Sequence, residues 1–371
     1  LDASNNINAS LNNISSVNMG FMVLGSAPLS FSNTIANDNY INNRPINVTD
    51  GATNLVYNGI DFSPYGQVIV QNSKNVTIKN SNFSNNMILI LNSNGTIFNN
   101  KINSTDGDGI TGVYSNYFNI SNNNLTVRKS SRFGLYMRGS DNVNISSNIV
   151  DVEGHAIYNY AGNSNNIFLN NVTTNAWGSH GLYNYLSTSN NIYLNNFTTY
   201  GQSSNPLYLE RVSYSNISTN VLKSYTTTLS YGVRITGDSF DNILSNLNIN
   251  ASGGGTSYGI YLVTNKINLT ILDSEINSLA DEINVANTIT EGSFLKLVNV
   301  SFNESDVSIN DVDFTLYNYN YLDVQTLDDA TPLSGALVIG NYSNGTQLFS
   351  DTSLASGYIE KQVLLDYNQT N

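Results

Sequence analysis

The segment Asn166-Ile-Phe-Leu-Asn-Asn-Val-Thr-Thr174 returns almost unchanged as Asn191-Ile-Tyr-Leu-Asn-Asn-Phe-Thr-Thr199, which gives a repeat of 25 residues. Weaker copies of this opening recur along the chain at Asn75-Val76, Asn142-Val143, Asn216-Ile217, Asn242-Ile243 and Asn268-Leu269. A period that recurs this often indicates a repeat protein in which each unit stacks on the next.

Each repeat holds a second short β-rich segment that is bounded by turn residues. Its versions are Gly134-Leu-Tyr-Met137, Ala156-Ile-Tyr-Asn159, Gly181-Leu-Tyr-Asn184, Pro206-Leu-Tyr-Leu209, Gly232-Val-Arg-Ile235 and Gly259-Ile-Tyr-Leu262. Helical repeats need runs of about ten residues at 3.6 periodicity, and propeller blades need about 40 residues. We therefore predict an all-β fold, a right-handed parallel β-helix solenoid, with its hand set by the preference of parallel crossovers.

Alternation within the second segment assigns side chains to the two faces of the strand. Leu135, Met137, Leu182 and Leu207 are predicted to point into the core. The residues between them form an outward tyrosine column with Arg234 in the same register; its members are Tyr136, Tyr158, Tyr183, Tyr208 and Tyr261. A second column of stacked amides is predicted at matching turn positions, namely Asn170, Asn195, Asn220 and Asn246.

The repeat fades after residue 305, and the pattern changes to alternating segments separated by Pro, Gly and Asn turns. We predict two domains: residues 1–310 form the parallel β-helix, with less regular coils in residues 1–65, and residues 311–371 form a β-sandwich. The motif Pro332-Leu-Ser-Gly335 is similar to that of Ig-like or carboxypeptidase-regulatory-like modules. We expect such a module to be incomplete here and to continue beyond Asn371.

Composition excludes several classes of function. The chain is rich in Tyr, with 24 residues, and in β-branched residues, which argues against disorder. Only 14 Lys and Arg residues are spread over a chain with a net charge of −13, so we expect no nucleic acid partner. There is no Cys for disulfides or thiol chemistry, and no apolar stretch approaches the length of a membrane span.

The coils resemble the parallel β-helix repeat family that includes NosD-like proteins and many archaeal surface proteins. Residues 33–45 carry this resemblance, together with Gly66-Gln-Val-Ile-Val70 and the following Asn75-Val-Thr-Ile78. The resemblance implies the fold but not the activity, because this fold hosts lyases, hydrolases, epimerases and adhesins. A β-helix followed by an Ig-like module is similar to archaeal adhesin-like and surface-layer proteins.

Two motifs raise the possibility of an enzyme. Asp106-Gly-Asp108-Gly-Ile110 and Gly154-His155-Ala-Ile157 are similar to the Asp and Gly-His motifs of polygalacturonase-type hydrolases, and Glu153 adjoins the second motif. Inverting hydrolysis needs two carboxyl groups, one on each side of the scissile bond. The coil between them offers Arg132 rather than further acids. We therefore interpret these residues as solvated turn residues and predict no catalytic residues.

The only two histidines, His155 and His180, precede the same strand position and should stack one coil apart, with Phe133, Asn205 and Tyr231 in the same column. Paired histidines can bind a transition metal, while a column of planar groups explains the neighbours as well. Copper, which the NosD resemblance implies, finds little support in a chain with no Cys and four Met. We predict no metal and no cofactor.

The tyrosine column has three interpretations. Flat rings can stack on sugars, tyrosines are common at protein interfaces, and stacked tyrosines also stabilise a coil. Of the Asn-x-Ser/Thr sequons, three in turn-like contexts are candidates for glycosylation: Asn82, Asn171 and Asn196.

From these features we expect a non-enzymatic extracellular protein of an archaeal surface layer, filament or adhesin, with surface glycans as further ligands of the tyrosine column. It should polymerise with further copies of itself, since solenoid ends are open and the first 30 residues, with weak β segments such as Phe21–Leu24, show no obvious cap. The alternative is a carbohydrate-active enzyme, a polysaccharide hydrolase or lyase, that uses an outer groove of the same scaffold.

Overall fold

The computed structural model describes residues 8–15, 34–226, 228–263, 266–286 and 291–371. They form an all-β solenoid of the right-handed type with about 11 turns and almost no helix. The segment Phe21–Leu24 lies outside the described residues. A single 3-10 turn is described, at Glu304–Asp306.

Three sheets run along the axis of the solenoid. Sheet I has 14 strands: Asn13–Ile14, Tyr40–Ile41, Arg44–Asp50, Gln67–Gln71, Ile88–Leu91, Ile110–Val113, Phe133–Arg138, His155–Tyr160, Leu182–Tyr185, Leu207–Glu210, Leu229–Thr236, Thr256–Val263, Ile283–Val285 and Val307–Ile309. Its strands pair in parallel, apart from the antiparallel pair Tyr40–Ile41 and Arg44–Asp50.

Sheet II has 13 strands: Val56–Asn58, Val76–Lys79, Gly95–Phe98, Phe118–Ser121, Asn144–Ser146, Asn166–Phe168, Asn191–Tyr193, Asn216–Ser218, Ser239–Ser245, Ile267–Leu272, Ser293–Val298, Phe314–Leu322 and Gln362–Gln369. Sheet III has 9 strands: Asn82–Ser84, Lys101–Ser104, Asn124–Val127, Ile149–Val152, Asn171–Thr174, Asn196–Thr199, Val221–Ser224, Asn248–Ala251 and Glu275–Ser278. The three remaining pairs are Asn8–Ala9 with Thr34–Ile35, Leu327–Asp328 with Thr331–Pro332, and Leu337–Asn341 with Gln347–Thr352.

The core is a continuous stack of aliphatic side chains inside the three sheets. The predicted inward residues Leu135, Met137, Leu182 and Leu207 are each at most 1% exposed, which confirms their assignment. Because each strand alternates and each coil repeats the pattern, one inward residue always packs on its counterpart in the next coil.

A second, smaller core lies on the outer face of the first coils of sheet I. Ile69 and Leu89 occupy the register that holds tyrosine further along the chain, yet both are fully buried. They cluster with Ile35, Ile41 and Ile46 from the N-terminal segment. The outer face of sheet I is therefore covered at this end and uncovered only from the middle coils onward.

The corner between sheets II and III combines two columns. One holds residues at positive φ, including Asn99, Asn122 and Asn246, which suits asparagine because its side chain tolerates left-handed backbone. The next residue in each coil points inward and forms the amide column, made of Asn100, Asn123, Asn148, Asn170, Asn195 and Asn220. The prediction for Asn246 is wrong by one position, because buried Leu247 follows Asn220 in that column.

The C-terminal region continues the solenoid further than expected. Phe314–Leu322 pairs in parallel with the preceding strand of sheet II, so the coils extend past residue 310. Gln362–Gln369 then pairs antiparallel with Phe314–Leu322, and a turn that includes Asn344 and Gly345 closes a hairpin of Leu337–Asn341 and Gln347–Thr352. These strands do not confirm a β-sandwich, and the division into two domains stays a prediction.

Candidate functional site

The uncovered part of sheet I presents an aromatic face. In this face the tyrosine column runs through Tyr136, Tyr158, Tyr183 and Tyr208 in one hydrogen-bonded register. Their ring centroids are 5.2, 4.6 and 4.6 Å apart, and successive rings are tilted by only 11, 7 and 6°. The predicted column is therefore confirmed as a continuous stack.

Arg234 follows Tyr208 in this column and Tyr261 follows Arg234, as the sequence register indicates. The Arg234 guanidinium carbon lies 5.0 Å from the Tyr208 ring centroid, which is the geometry of a cation–π contact. The ring faces of Tyr158, Tyr183 and Tyr208 are thus all occupied by neighbours in the column. These three tyrosines present their edges and hydroxyl groups, rather than open ring faces, to a ligand.

Tyr261 differs from the other members of the column because it lines a cavity. The cavity has a volume of about 500 Å³ and is also lined by Tyr258, Asn284 and Asn310. An aromatic ring beside amide groups is an arrangement that can bind a sugar. Among the predicted glycan-contact residues, Tyr261 is the one whose surroundings offer this space.

The histidines form a second column beside the tyrosines. The backbone N–H of Phe133 donates to Asp108 Oδ1 at 3.0 Å. In the same way, His180 N–H donates to His155 Nδ1, and Asn205 N–H donates to His180 Nδ1, each at 3.1 Å. Asp108, His155 and His180 therefore each accept a backbone hydrogen bond from the next coil.

Accepting at Nδ1 requires that this nitrogen carries no proton, so both rings are neutral with the proton on Nε2. Burial lowers the pKa of His155 to about 4 and holds the pKa of His180 well below its usual value. The two ring centroids are 4.9 Å apart, which confirms the predicted stacking of His155 on His180.

The interpretation of Asp108 as a solvated turn residue is wrong. Its carboxyl group is fully buried and accepts from Phe133 N–H and from the Thr111 hydroxyl at 2.9 Å. Burial raises the pKa of this carboxyl. Asp108 is the first member of the histidine column, and its role is to satisfy a backbone donor in the core of the rod.

Asp106 and Glu153 remain partly exposed at the corner that leads into sheet I. Nearby, Arg128 forms an ion pair with Asp151 at 2.5 Å. Because Asp108 is buried, it cannot face a substrate as one of two carboxyl groups across a scissile bond.

Among the described residues, the side chains present do not fit a copper site. Met87 and Met137 are buried in hydrophobic cores, and both histidines already use Nδ1 as a hydrogen-bond acceptor. In the part of the chain that the structure describes, no three His, Cys, Asp or Glu side chains are grouped so that they could hold a metal ion.

Glu210 also belongs to the aromatic face, although the sequence pattern did not predict a role for it. Its Oε2 accepts from the Tyr183 hydroxyl at 2.5 Å and from the Tyr208 hydroxyl at 3.0 Å. Burial, and then the bond to Glu210, raise the pKa of Tyr183. The sequence could have predicted this contact, because Glu210 is two residues after Tyr208 and its side chain therefore lies on the same face of the strand.

A cleft opens where the aromatic face meets the corner to sheet II. Its volume is about 510 Å³, and its lining includes Tyr114, Arg138, Gly139, Asp141 and Tyr160. The Arg138 guanidinium carbon lies 5.3 Å from the Tyr160 ring centroid. Gly139 has a φ of 56°, and a Cβ there would lie 2.5 Å from the Tyr114 ring. A larger residue would therefore displace Tyr114, which lines the cleft.

The three predicted glycosylation sites differ in presentation. Asn82 and Asn171 are exposed, whereas Asn196 is half-buried. The Nδ2 of Asn82 donates to Asp61 at 3.1 Å, and the Nδ2 of Asn196 donates to Asn171 Oδ1 at 3.2 Å. Since glycosylation modifies Nδ2, Asn171 is the best presented of the three, and modification stays a prediction for all of them.

One protein-family model matches part of the chain. Residues 63–204 match the family described as "Periplasmic copper-binding protein (NosD)", which is less than half of the chain. No curated protein matches the chain. The described residues contain no helix with the length and hydropathy of a membrane span.

Similar solved structures come from bacteriophages. ORF18 of Geobacillus virus E2 is 12% identical, with 82% of this chain and 71% of that chain covered and a TM-score of 0.43. The Dettilon tailspike protein is 13% identical, with 88% and 73% covered and a TM-score of 0.35. Tailspike protein 3 of bacteriophage CBA120 is 14% identical, with 100% and 62% covered and a TM-score of 0.37. Identities this low extend no activity from those proteins to this chain.

Proposed function

We propose that this chain is a non-enzymatic extracellular rod, a structural part of a surface layer, filament or adhesin that associates with further copies of itself. One observation carries the proposal. Asp108, His155 and His180 are the side chains best suited to acid–base or metal chemistry. All three accept hydrogen bonds within one column that joins successive coils. Their hydrogen bonds join one coil to the next and therefore stiffen the rod.

Other columns support the same role. The six-residue amide column satisfies backbone groups at the corner between sheets II and III, and the tyrosine column clamps successive strands of sheet I. Side-chain columns of this kind tie the middle coils to one another, so they resist bending and local opening there. A long rod made in this way suits the presentation or spacing of other surfaces.

An extracellular location is supported by the Asn-x-Ser/Thr sequons along the chain. The matching family is described as periplasmic, and hence as lying outside the cytoplasmic membrane. Surface glycans stay a proposed ligand, with the cavity beside Tyr261 as the place where a sugar ring has room.

The alternative, a polysaccharide hydrolase or lyase, has one observation in its favour. Asp106 and Glu153 keep partly exposed carboxyl groups near the start of the aromatic face. A hydrolase of the inverting type would need two such groups about 6.5–9.5 Å apart across a bound sugar. The structural proposal and this alternative predict different results in the same experiment.

The experiment combines activity and assembly. The purified chain is incubated with a panel of uronic-acid and neutral polysaccharides, and reducing ends are measured alongside the Asp106→Asn, Asp108→Asn and Glu153→Gln variants. Light scattering and electron microscopy then follow the mass of the particles at rising protein concentration. We expect no product and growing particle mass. Turnover that a variant abolishes would favour the enzyme, and a strictly monomeric rod across the micromolar range would count against assembly.

A further inference from the structure

A third column runs along the aromatic face, next to the tyrosine column and closer to the corner with sheet II. It reads Arg138, Tyr160, Tyr185 and Glu210 in consecutive coils. All four side chains are half-buried, with part of each open to solvent. Neither Arg138 nor Glu210 forms an ion pair within the described ranges, which hold two ion pairs elsewhere. The column is therefore cationic at one end, anionic at the other and aromatic between.

The side chains at the corner beside this column also differ in size from one end to the other. The residues that follow the four members are Gly139, Ala161, Leu186 and Arg211, all at positive φ. The first two are small and line the cleft of about 510 Å³. The last two are large and exposed, with Leu186 at 40%. One half of the corner is thus hollow, and the other half projects.

Both patterns are self-complementary under one symmetry operation. A two-fold axis that lies in the contact plane, parallel to the strands, reverses the order of the coils and leaves each column opposite itself. With this axis midway between the coils of Tyr160 and Tyr185, Arg138 faces Glu210 of a second copy. By the same operation, the projecting Leu186 faces the hollow at Ala161.

We propose that the aromatic face is the contact surface of an antiparallel two-fold dimer, and that the occupant of the cleft is a second copy of this chain. The inference rests on the proposed function, because it names the surface through which copies associate. Charge complementarity is formed twice in such an isologous contact, and the projecting Arg211 reaches the cleft that Asp141 lines.

The sequons support this choice of face. Sheets II and III and their ends carry exposed sequon asparagines such as Asn119, Asn124, Asn171 and Asn216. The strands of sheet I from Phe133 to Val263 contain none. A glycosylated chain would therefore keep the aromatic face clear for protein contact. The four coils span only about 14 Å along the axis, so we expect association at micromolar concentrations.

Charge reversal tests the pairing directly. Sedimentation of the full chain gives the dimer dissociation constant for wild type, Arg138→Glu and Glu210→Arg. We expect each single variant to raise this constant by about 100-fold, because every dimer loses two attractive contacts and gains two repulsive ones. When the two variants are mixed, opposite charges face each other at both positions. The mixture should therefore dimerise although neither component does so alone.

Two further variants separate contact from folding. Lys223→Glu makes the same change of charge on the outer face of sheet III and should leave the dissociation constant unchanged. Leu186→Asp removes the projecting side chain at a left-handed position that aspartate tolerates better than leucine, so it should weaken the dimer by at least about tenfold without loss of stability. Far-UV circular dichroism and thermal midpoints check the fold of every variant.

The outcomes are distinct. If the wild type associates but Arg138→Glu, Leu186→Asp and the mixture behave like wild type, another surface makes the contact; this inference fails and self-assembly stands. A wild type that stays monomeric at all concentrations overturns both this inference and the assembly part of the proposed function.

Discussion

Replacement of Asn170 by alanine should destabilise the solenoid far more than replacement of its neighbour Asn171. Asn170 is 1% exposed and belongs to the amide column, whereas Asn171 is exposed on sheet III. The two residues are adjacent, have the same chemistry and differ only in direction. They form a matched pair for the structural role of the column.

The magnitude follows from the bonds that Asn170 makes. Its Oδ1 accepts from the backbone N–H and from the side-chain Nδ2 of Asn148, both at 3.0 Å. Its Nδ2 donates to Ile145 O and to Asn195 Oδ1, both at 2.9 Å. Alanine leaves two buried donors of Asn148 without this acceptor, at about 1–3 kcal/mol each, so we expect a loss of about 2–6 kcal/mol.

The Asn171→Ala variant should lose much less free energy of unfolding, because Asn171 Oδ1 accepts only one bond, at 3.2 Å from the half-buried Asn196 at the surface. Water can replace that bond, and the expected loss in Asn171→Ala is below about 1 kcal/mol. Asn170→Asp should also be destabilising, since it removes the donor and buries a charge.

The assay is urea unfolding followed by far-UV circular dichroism and by the fluorescence of Trp177, the single tryptophan, which is 73% exposed in the following loop. Hydrogen exchange adds a local measurement, because the Asn148 amide should exchange faster in Asn170→Ala only. Equal free energies of unfolding for the two alanine variants, within about 0.5 kcal/mol, would refute the role assigned to the amide column.

Two further predictions concern the core and the histidine column. Leu182→Ala should cost about 2–5 kcal/mol in urea unfolding, because the leucine is fully buried, while Tyr183→Ala should cost about 1–3 kcal/mol from lost stacking and the bond to Glu210. Equal losses would mean that inside and outside are misassigned. The pKa of His155 is lowered to about 4 in the folded state, so its contribution to stability is complete above pH about 6.5 and is lost as the pH falls toward 4. Thermal midpoints between pH 4 and 8 should therefore depend less on pH in His155→Asn, where the asparagine Oδ1 can accept the bond that His180 N–H donates to His155 Nδ1; an unchanged slope would contradict this.

The sequence was sufficient for the repeat and for the faces of its strands. The offset between Asn166 and Asn191 places equal residues one above another, and strict alternation then decides that Leu182 is inside and Tyr183 outside. Such inferences succeed because a parallel register with a constant period leaves no other choice of neighbour. The prediction failed by one residue at Asn246, because the strand register pairs Val221 with Asn248, two residues beyond the repeat of 25, and so places Leu247 in the column.

The roles of the candidate site residues were harder to predict, because they depend on burial, which the sequence pattern does not show. Asp108 looks like a turn residue in sequence, yet its carboxyl group lies in the core and accepts a backbone bond from the next coil. The tyrosine column was predicted correctly, but the short spacing between coils closes its ring faces, which sequence alone does not show. The sequence alone gives no reason to pair Arg138 with Glu210. The structure places them at the two ends of one column.

What the sequence determined by itself was the period, the strand register and the side-chain columns, because these are local properties that repeat with the chain. What only the tertiary structure decided was which columns are covered. The N-terminal segment buries Ile69 and Leu89 on the outside of sheet I, and Gln362–Gln369 returns to extend sheet II. Both contacts join segments far apart in the chain and outside the repeat, so no periodicity encodes them, and they leave the middle coils with the open aromatic face.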